Sequence, residues 1–360
     1  MTIPPIPSSA TYKGNQPKRT AELLAWHAAT GREEALEPDL LIIDPHHHLY
    51  EAPIQGDRYL LPDLLKDIGG GHNIAATVYV EAYGSMWRPY GPPEMRPVGE
   101  VEFAAGVAAM AASGIYGPCR VAAAIVAHAN LSLGERIEDV LHAQIASSGG
   151  RLRGIRHQAA HDDGIIGSLI KHKAPDGLLL DEQFRKGFAR LSRLGLSFDA
   201  WVYHTQLAET EDLAARFPDT TIILNHIGGI MGVANYQGRR DEILTRWREN
   251  MTALSRRENV AIKIGGMGMA VSGFGFEQRE RPAGSADLVA AWKPYIDVCI
   301  DLFGPERCMF ESNFPVDKQS CGYTELWNAF KLATTALSPD ERQALFSGTA
   351  SRVYRIEGFQ

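Results

Sequence analysis

Three consecutive histidines follow a short apolar run, in the stretch Leu41-Ile42-Ile43-Asp44-Pro45-His46-His47-His48. In an extended strand, residues i and i+2 share a face. His46 and His48 therefore project together, and His47 points away from them. Two imidazoles side by side can hold a metal ion or polarise a carbonyl. The stretch alone is equally a His-rich loop at a strand end, so the choice rests on the rest of the chain.

Polar residues close other apolar runs in the same way. Glu81 ends 74–81, His128 ends 121–128, and Arg156-His157 end 152–157. His204 lies just beyond 196–202. Asn225-His226 end 221–226, Lys263 sits in 260–264, and Glu311-Ser312-Asn313 end 308–313. Each has an ordinary structural reading. Glu81 could pair with Arg88 or Arg156, His128 could cap the turn before Asn130, and Lys263 could snorkel out of a strand. His226, before Gly228-Gly229, is the strongest single site candidate. Together they are harder to explain by packing, because burying such groups is costly unless they are paired.

The elements that would position them alternate regularly. Eight short β-branched or apolar runs (41–45, 74–81, 121–128, 152–157, 196–202, 221–226, 260–264 and 308–313) read as strands. Helical patterns near 101–113, 133–147, 182–194, 206–217, 241–257 and 288–303 separate most of them, and 325–336 and 339–346 follow. The first connection holds only a short helix, 61–66. Alternation of this kind implies a parallel sheet, and eight repeats imply a (β/α)8 TIM barrel rather than an open sheet. No G-x-G-x-x-G turn follows the first strand, which counts against a dinucleotide-binding sheet. In such a barrel the strand ends converge on one mouth. Residues 1–38, with Pro4, Pro5, Pro7 and Pro17, read as an N-terminal arm holding a short helix at 20–29, and 39–360 as the barrel domain.

Bulk properties narrow the function classes. A length of 360 residues suits one large domain. A net charge of -7 without a basic run argues against nucleic acid or a membrane surface as partner. The four cysteines, Cys119, Cys299, Cys308 and Cys321, form no Cys-x-x-Cys pair and fit reduced thiols. The start lacks a signal-peptide pattern, so a cytoplasmic enzyme acting on a small molecule is expected. A homodimer is the default assembly.

The motifs resemble those of the amidohydrolase superfamily. Asp44-Pro45-His46-His47-His48 resembles its strand-1 His-x-His signature, and Leu224-Asn225-His226-Ile227-Gly228 its strand-6 His-x-Gly turn. Glu311-Ser312-Asn313-Phe314-Pro315 is similar to its strand-8 Ser-Asp-Trp-Pro segment. Lys263-Ile264-Gly265-Gly266 is similar to a strand-7 Lys-Leu-Ser-Gly of the amidohydrolase-2 branch, whose TIM-barrel lactonases include 2-pyrone-4,6-dicarboxylate lactonase. The resemblance spans about residues 40 to 318. It implies a hydrolase opening a small cyclic ester or a related C–O or C–N bond. A metal-dependent decarboxylase and a non-catalytic binding barrel are the alternatives. Two positions depart from the pattern. Asn313 stands where the family carries an aspartate, and an amide cannot take up a proton at neutral pH. Strand 5 carries no histidine.

The expected site follows from both lines of reasoning. His46, His48 and His226 polarise the carbonyl, directly or through one zinc or manganese ion that they hold; catalysis without metal fits equally well. Glu81 is the first choice of water-activating base, ahead of Glu311, Asp317 and His128, with Asn313 beside it. Arg156, Lys263, His128 and His157 are expected to bind substrate. The loops 83–97, 161–178 and 265–284 would set specificity, and Trp87, Tyr90, Phe274 and Phe276 suggest an aromatic or apolar ring.

Overall fold

A computed structural model describes residues 12–14, 17–51, 58–82, 84–170 and 172–359. Eight parallel strands run β1 (Leu41–His47), β2 (Asn73–Val80), β3 (Arg120–His128), β4 (Leu152–Arg156), β5 (Ser197–Ala200), β6 (Ile222–Leu224), β7 (Val260–Ile264) and β8 (Cys308–Phe310). Each pairs with the next in sequence order. Asn313 N donates to His46 O at 3.0 Å and His48 N to Phe314 O at 2.8 Å. These bonds join the end of β1 to the segment beyond β8, so closure is made at the mouth. The molecule is a (β/α)8 TIM barrel.

The strand interiors explain the shape. Ile43, Val78, Val80, Ala124, Val126, Ile223, Ala261 and Met309 point into the barrel and form one buried cluster. Burying each larger aliphatic side chain contributes about 1.5–3 kcal/mol. Ala350, Tyr354 and Ile356, in and just beyond the C-terminal helix Thr349–Val353, complete that cluster from the closed end. The outer faces of the strands pack on the surrounding helices in a larger core that includes Trp247, Trp292 and Trp327.

All eight sequence-predicted strands are present, with ends shifted by a few residues. The strand after the first connection is preceded by the helix Leu61–Ile68, slightly longer than expected. Part of the arm is a helix, Thr20–Ala28, that lies across two mouth loops. Trp26 Nε1 donates to Arg279 O at 3.0 Å, and Lys18 N to Gln319 Oε1 at 2.9 Å. The proline-rich 1–11 lies outside the described residues.

The loop after β7 differs from expectation in one respect. Phe274 and Phe276 do not face the mouth. Both are buried, and they pack edge-on against Trp292 of the outer helix Ser285–Phe303. Burial of two large rings in the helix layer outweighs any exposure at a polar mouth.

Candidate active site

β1 ends in the backbone that aims His46 inward. Asp44 accepts from His46 N at 3.2 Å, from Ser312 Oγ at 2.6 Å and from Tyr323 OH at 3.0 Å, tying the β1 and β8 ends together. Burial pushes the Asp44 carboxyl up to about 6. His47 points the other way, as its spacing requires, with Nε2 2.9 Å from Thr77 Oγ1.

His46, His226 and Glu311 form the centre. The two oxygens of Glu311 lie 2.7 Å from His46 Nδ1 and 2.7 Å from His226 Nδ1. Ligand atoms of these three residues all lie within 4.8 Å of one another. All three are buried. His226 N also donates to Glu311 Oε1 at 3.0 Å, and Trp201 stands edge-on to the His226 ring. His226 and Asn313 adopt the left-handed backbone, with φ of 54° and 53°. Residues with side chains rarely rest there unless the surroundings hold them.

Glycines clear the space around this centre. A Cβ on Gly265 would lie 2.4 Å from Glu311 Cγ, and one on Gly266 would lie 2.3 Å from His226 Nδ1. Gly266 also has a φ of +66°. No side chain fits at either position without displacing a site residue.

Hydrogen-bond accounting on His46 shows what the centre lacks. His48 Nδ1 lies 3.0 Å from the Val80 carbonyl, which only accepts, so His48 carries its proton there. His48 Nε2 is then an acceptor, 3.2 Å from His46 Nε2. If His46 donates to it, His46 Nδ1 turns a bare lone pair on Glu311. If His46 is protonated at Nδ1 instead, two nitrogen lone pairs face each other. A neutral imidazole cannot satisfy both neighbours. Glu311 Oε2 has no hydrogen bond of acceptable geometry despite its close approach. Arg156 Nη1 at Nε2 and Lys263 Nζ at Nδ1 offer His46 only long contacts of 3.4 Å, and a second proton or a bound cation would resolve the conflict fully. Burial, then Lys263, holds the His46 imidazolium well below its usual range, which disfavours the proton. Around the ring, the carboxylates of Glu81, Asp199 and Glu311 face the cations of Arg156 and Lys263, which leaves one negative charge. The donor set fits a divalent ion.

The remaining sequence-predicted residues separate into two groups. Arg156 and Lys263 lie at the centre, but in buried ion pairs rather than facing a ligand. Arg156 Nε donates to Glu81 Oε1 at 2.7 Å and Nη2 to Glu81 O at 2.8 Å. Lys263 Nζ donates to Asp199 Oδ2 at 2.7 Å. Each cation also stands 3.4 Å from a His46 nitrogen. Glu81, first choice as base, is thus engaged by Arg156. His128 and His157 lie to one side, half-buried, with the Trp87 ring over His128. His157 Nδ1 accepts from Leu131 N at 3.3 Å, and burial pushes that ring down to about 3. His204 accepts from Met231 N and packs on Tyr236, away from the centre.

Three features were not expected. Asp199, on β5, is buried against Lys263, and Tyr354 OH reaches it at 3.0 Å from the closed end. The only sequence signal was an acid inside a short apolar strand. Glu311, read as a reserve base, bridges two histidines. Asn313 Nδ2 donates to Asp317 Oδ1 at 2.8 Å, and Gly268 N to Asp317 Oδ2 at 2.8 Å. A buried carboxylate thus stands against the Asn313 amide, four residues on. Burial pushes it up to about 8.

Residues 43–356 match the amidohydrolase family. The chain belongs to that family. This amidohydrolase is 32% identical over 343 residues to the uncharacterized protein y4mH of Sinorhizobium fredii, covering 88% of this chain and 99% of that one. It is 29% identical over 225 residues to an L-fucono-1,5-lactonase of Burkholderia multivorans, covering 61% of this chain and 70% of the relative. A crystal structure of an amidohydrolase from Burkholderia multivorans with bound zinc superposes with a TM-score of 0.65 at 25% identity, over 88% of this chain and 99% of that one.

Proposed function

We propose that this amidohydrolase is a lactonase that opens a small cyclic ester at the barrel mouth. The observation that carries the reading is the buried His46–Glu311–His226 centre at the converging ends of β1, β6 and β8. The likeness to an L-fucono-1,5-lactonase supports a lactone as the substrate class.

His46, His226 and Glu311 would hold a divalent ion, with His48 fixing the tautomer of His46 from its other edge. When bound, such an ion supplies a Lewis acid for the ester carbonyl and lowers the pKa of water. The zinc in the related crystal structure supports zinc as the first metal to test. Here Glu311 replaces His48 in the expected trio, because His48 faces the opposite nitrogen of His46.

The other residues position this centre and handle protons. Burial, helped by the Lys263 and Arg156 cations, keeps His46 unprotonated at neutral pH, so that it stays an electron-pair donor. Their paired charges make them supports rather than grips on an anionic substrate. Asp317 is our candidate proton carrier in place of Glu81. A carboxyl poised near 8 exchanges its proton close to working pH, and Asn313 links it to the β8 end.

A panel of five- and six-membered sugar lactones, followed by proton release in a weakly buffered indicator, tests the reading. Turnover of at least one lactone is expected. Release of carbon dioxide from aromatic acids with no lactone hydrolysed would replace it with the decarboxylase alternative.

A further inference from the structure

The closed end of the barrel, opposite the mouth, carries a cluster with no role in the reaction above. A cavity of about 270 Å³ is lined by Arg120, Arg151, Arg153 and Arg355, with Gly149 and Gly150. The arginines come from three distant parts of the chain: the start of β3, the start of β4, and the turn after the C-terminal helix. Among the lining residues Glu357 is the one acid.

These guanidiniums donate to backbone carbonyls. Arg120 Nη1 donates to Glu357 O at 2.6 Å, and Arg151 Nη1 to Gly149 O at 3.2 Å. Arg153 donates to Tyr354 O at 2.9 Å and Gly150 O at 2.6 Å, and Arg355 Nη2 to Gly195 O at 2.8 Å. Among the described residues none of the four pairs with a carboxylate. Carbonyls hold the side chains in place without cancelling their charges, and the nearby Glu357 carboxylate offsets them only in part. Burial, then Arg355, lowers the Arg153 guanidinium from its usual range. Arg151 and Arg153 are half-buried, which limits screening by solvent, while Arg120 and Arg355 are exposed at the rim. A chain with a net charge of -7 thus concentrates four cations around one small cavity.

We propose that this cavity binds a small anion of the phosphate class, with inorganic diphosphate as the fitting size. Guanidinium forks match phosphate oxygens in pairs, and four of them can neutralise a multiply charged anion. The volume lies below the usual range for drug-sized ligands, which suits a compact anion.

Calorimetric titration of the full chain with sodium pyrophosphate tests this, with sodium chloride of matched ionic strength as control. Saturable binding is expected, weakened at least tenfold in the double variant Arg151→Gln, Arg355→Gln. Lactone turnover and unliganded Tm should be unchanged in that variant, since both residues sit at the far end of the barrel. ADP in place of pyrophosphate distinguishes the source: binding supports a nucleotide-borne diphosphate, and exclusion beside pyrophosphate binding supports the free anion. Heat no greater than the chloride control overturns the proposal. So does pyrophosphate affinity equal in variant and parent, which would place the anion on a metal at the mouth.

Discussion

At the scale of single residues, the centre is decided by which atoms have protons to give. The sequence placed His46, His48 and His226 at one mouth, and the structure brings them together. It could not show that His48 and Glu311 address opposite nitrogens of His46, because that depends on ring rotation rather than on spacing. Glu311→Gln removes the anionic donor, so zinc affinity should fall by tenfold or more in chelator competition, a range typical of losses around metal sites. Asp317 gives a pH test. Its folded pKa, about 8, lies above the ordinary 3.8, so the folded state binds the extra proton between those values. Stability linked to Asp317 is complete below about pH 4 and is lost as pH rises toward 8. Asp317→Asn should therefore flatten the decline in Tm across that window, and thermal melts at several pH values will show it. An unchanged slope would mean that the Asp317 carboxyl titrates normally.

At the scale of elements, strand ends and close turns set the geometry. Eight strands were readable because β-branched runs alternate with helical patterns, and their periods differ. The glycines after β7 were legible as a loop, but not as the surface on which His226 and Glu311 rest. Contacts between residues 226 and 266, or 265 and 311, are tertiary and leave no local periodicity. Gly266→Ala should keep the barrel folded, with unchanged far-UV circular dichroism, while turnover falls at least a hundredfold. The chain Tyr354–Asp199–Lys263–His46 links the closed end to the mouth. Breaking a buried ion pair by removing one partner costs about 3–5 kcal/mol. Asp199→Asn should lose stability of that order in chemical denaturation, a larger loss than Tyr354→Phe, which removes one hydroxyl and keeps the ion pair.

At the scale of the whole molecule, the barrel is closed at its mouth by two backbone bonds and plugged from below by the C-terminal segment. The fold was legible from rhythm alone, since eight strand–helix repeats have few other parallel solutions. The pairing of Glu81 with Arg156 was among the readings of the sequence, whereas the pairing of Lys263 with Asp199 was not. Pairing between a β7 cation and a β5 acid has no signature in spacing. The arm helix crosses the loops after β7 and β8 and anchors through Trp26. Trp26→Ala should raise hydrogen exchange in residues 265–284 while leaving the barrel strands protected. Among the described residues no helix is long and apolar enough to cross a membrane. The central claim, that His226 belongs to a lactone-opening centre, is tested most directly by proton release from the lactone panel for the parent chain and His226→Asn. The expected result is turnover by the parent and a loss of at least a hundredfold in the variant, with Tm little changed. Full activity in His226→Asn, or no lactone opened by the parent, would contradict it.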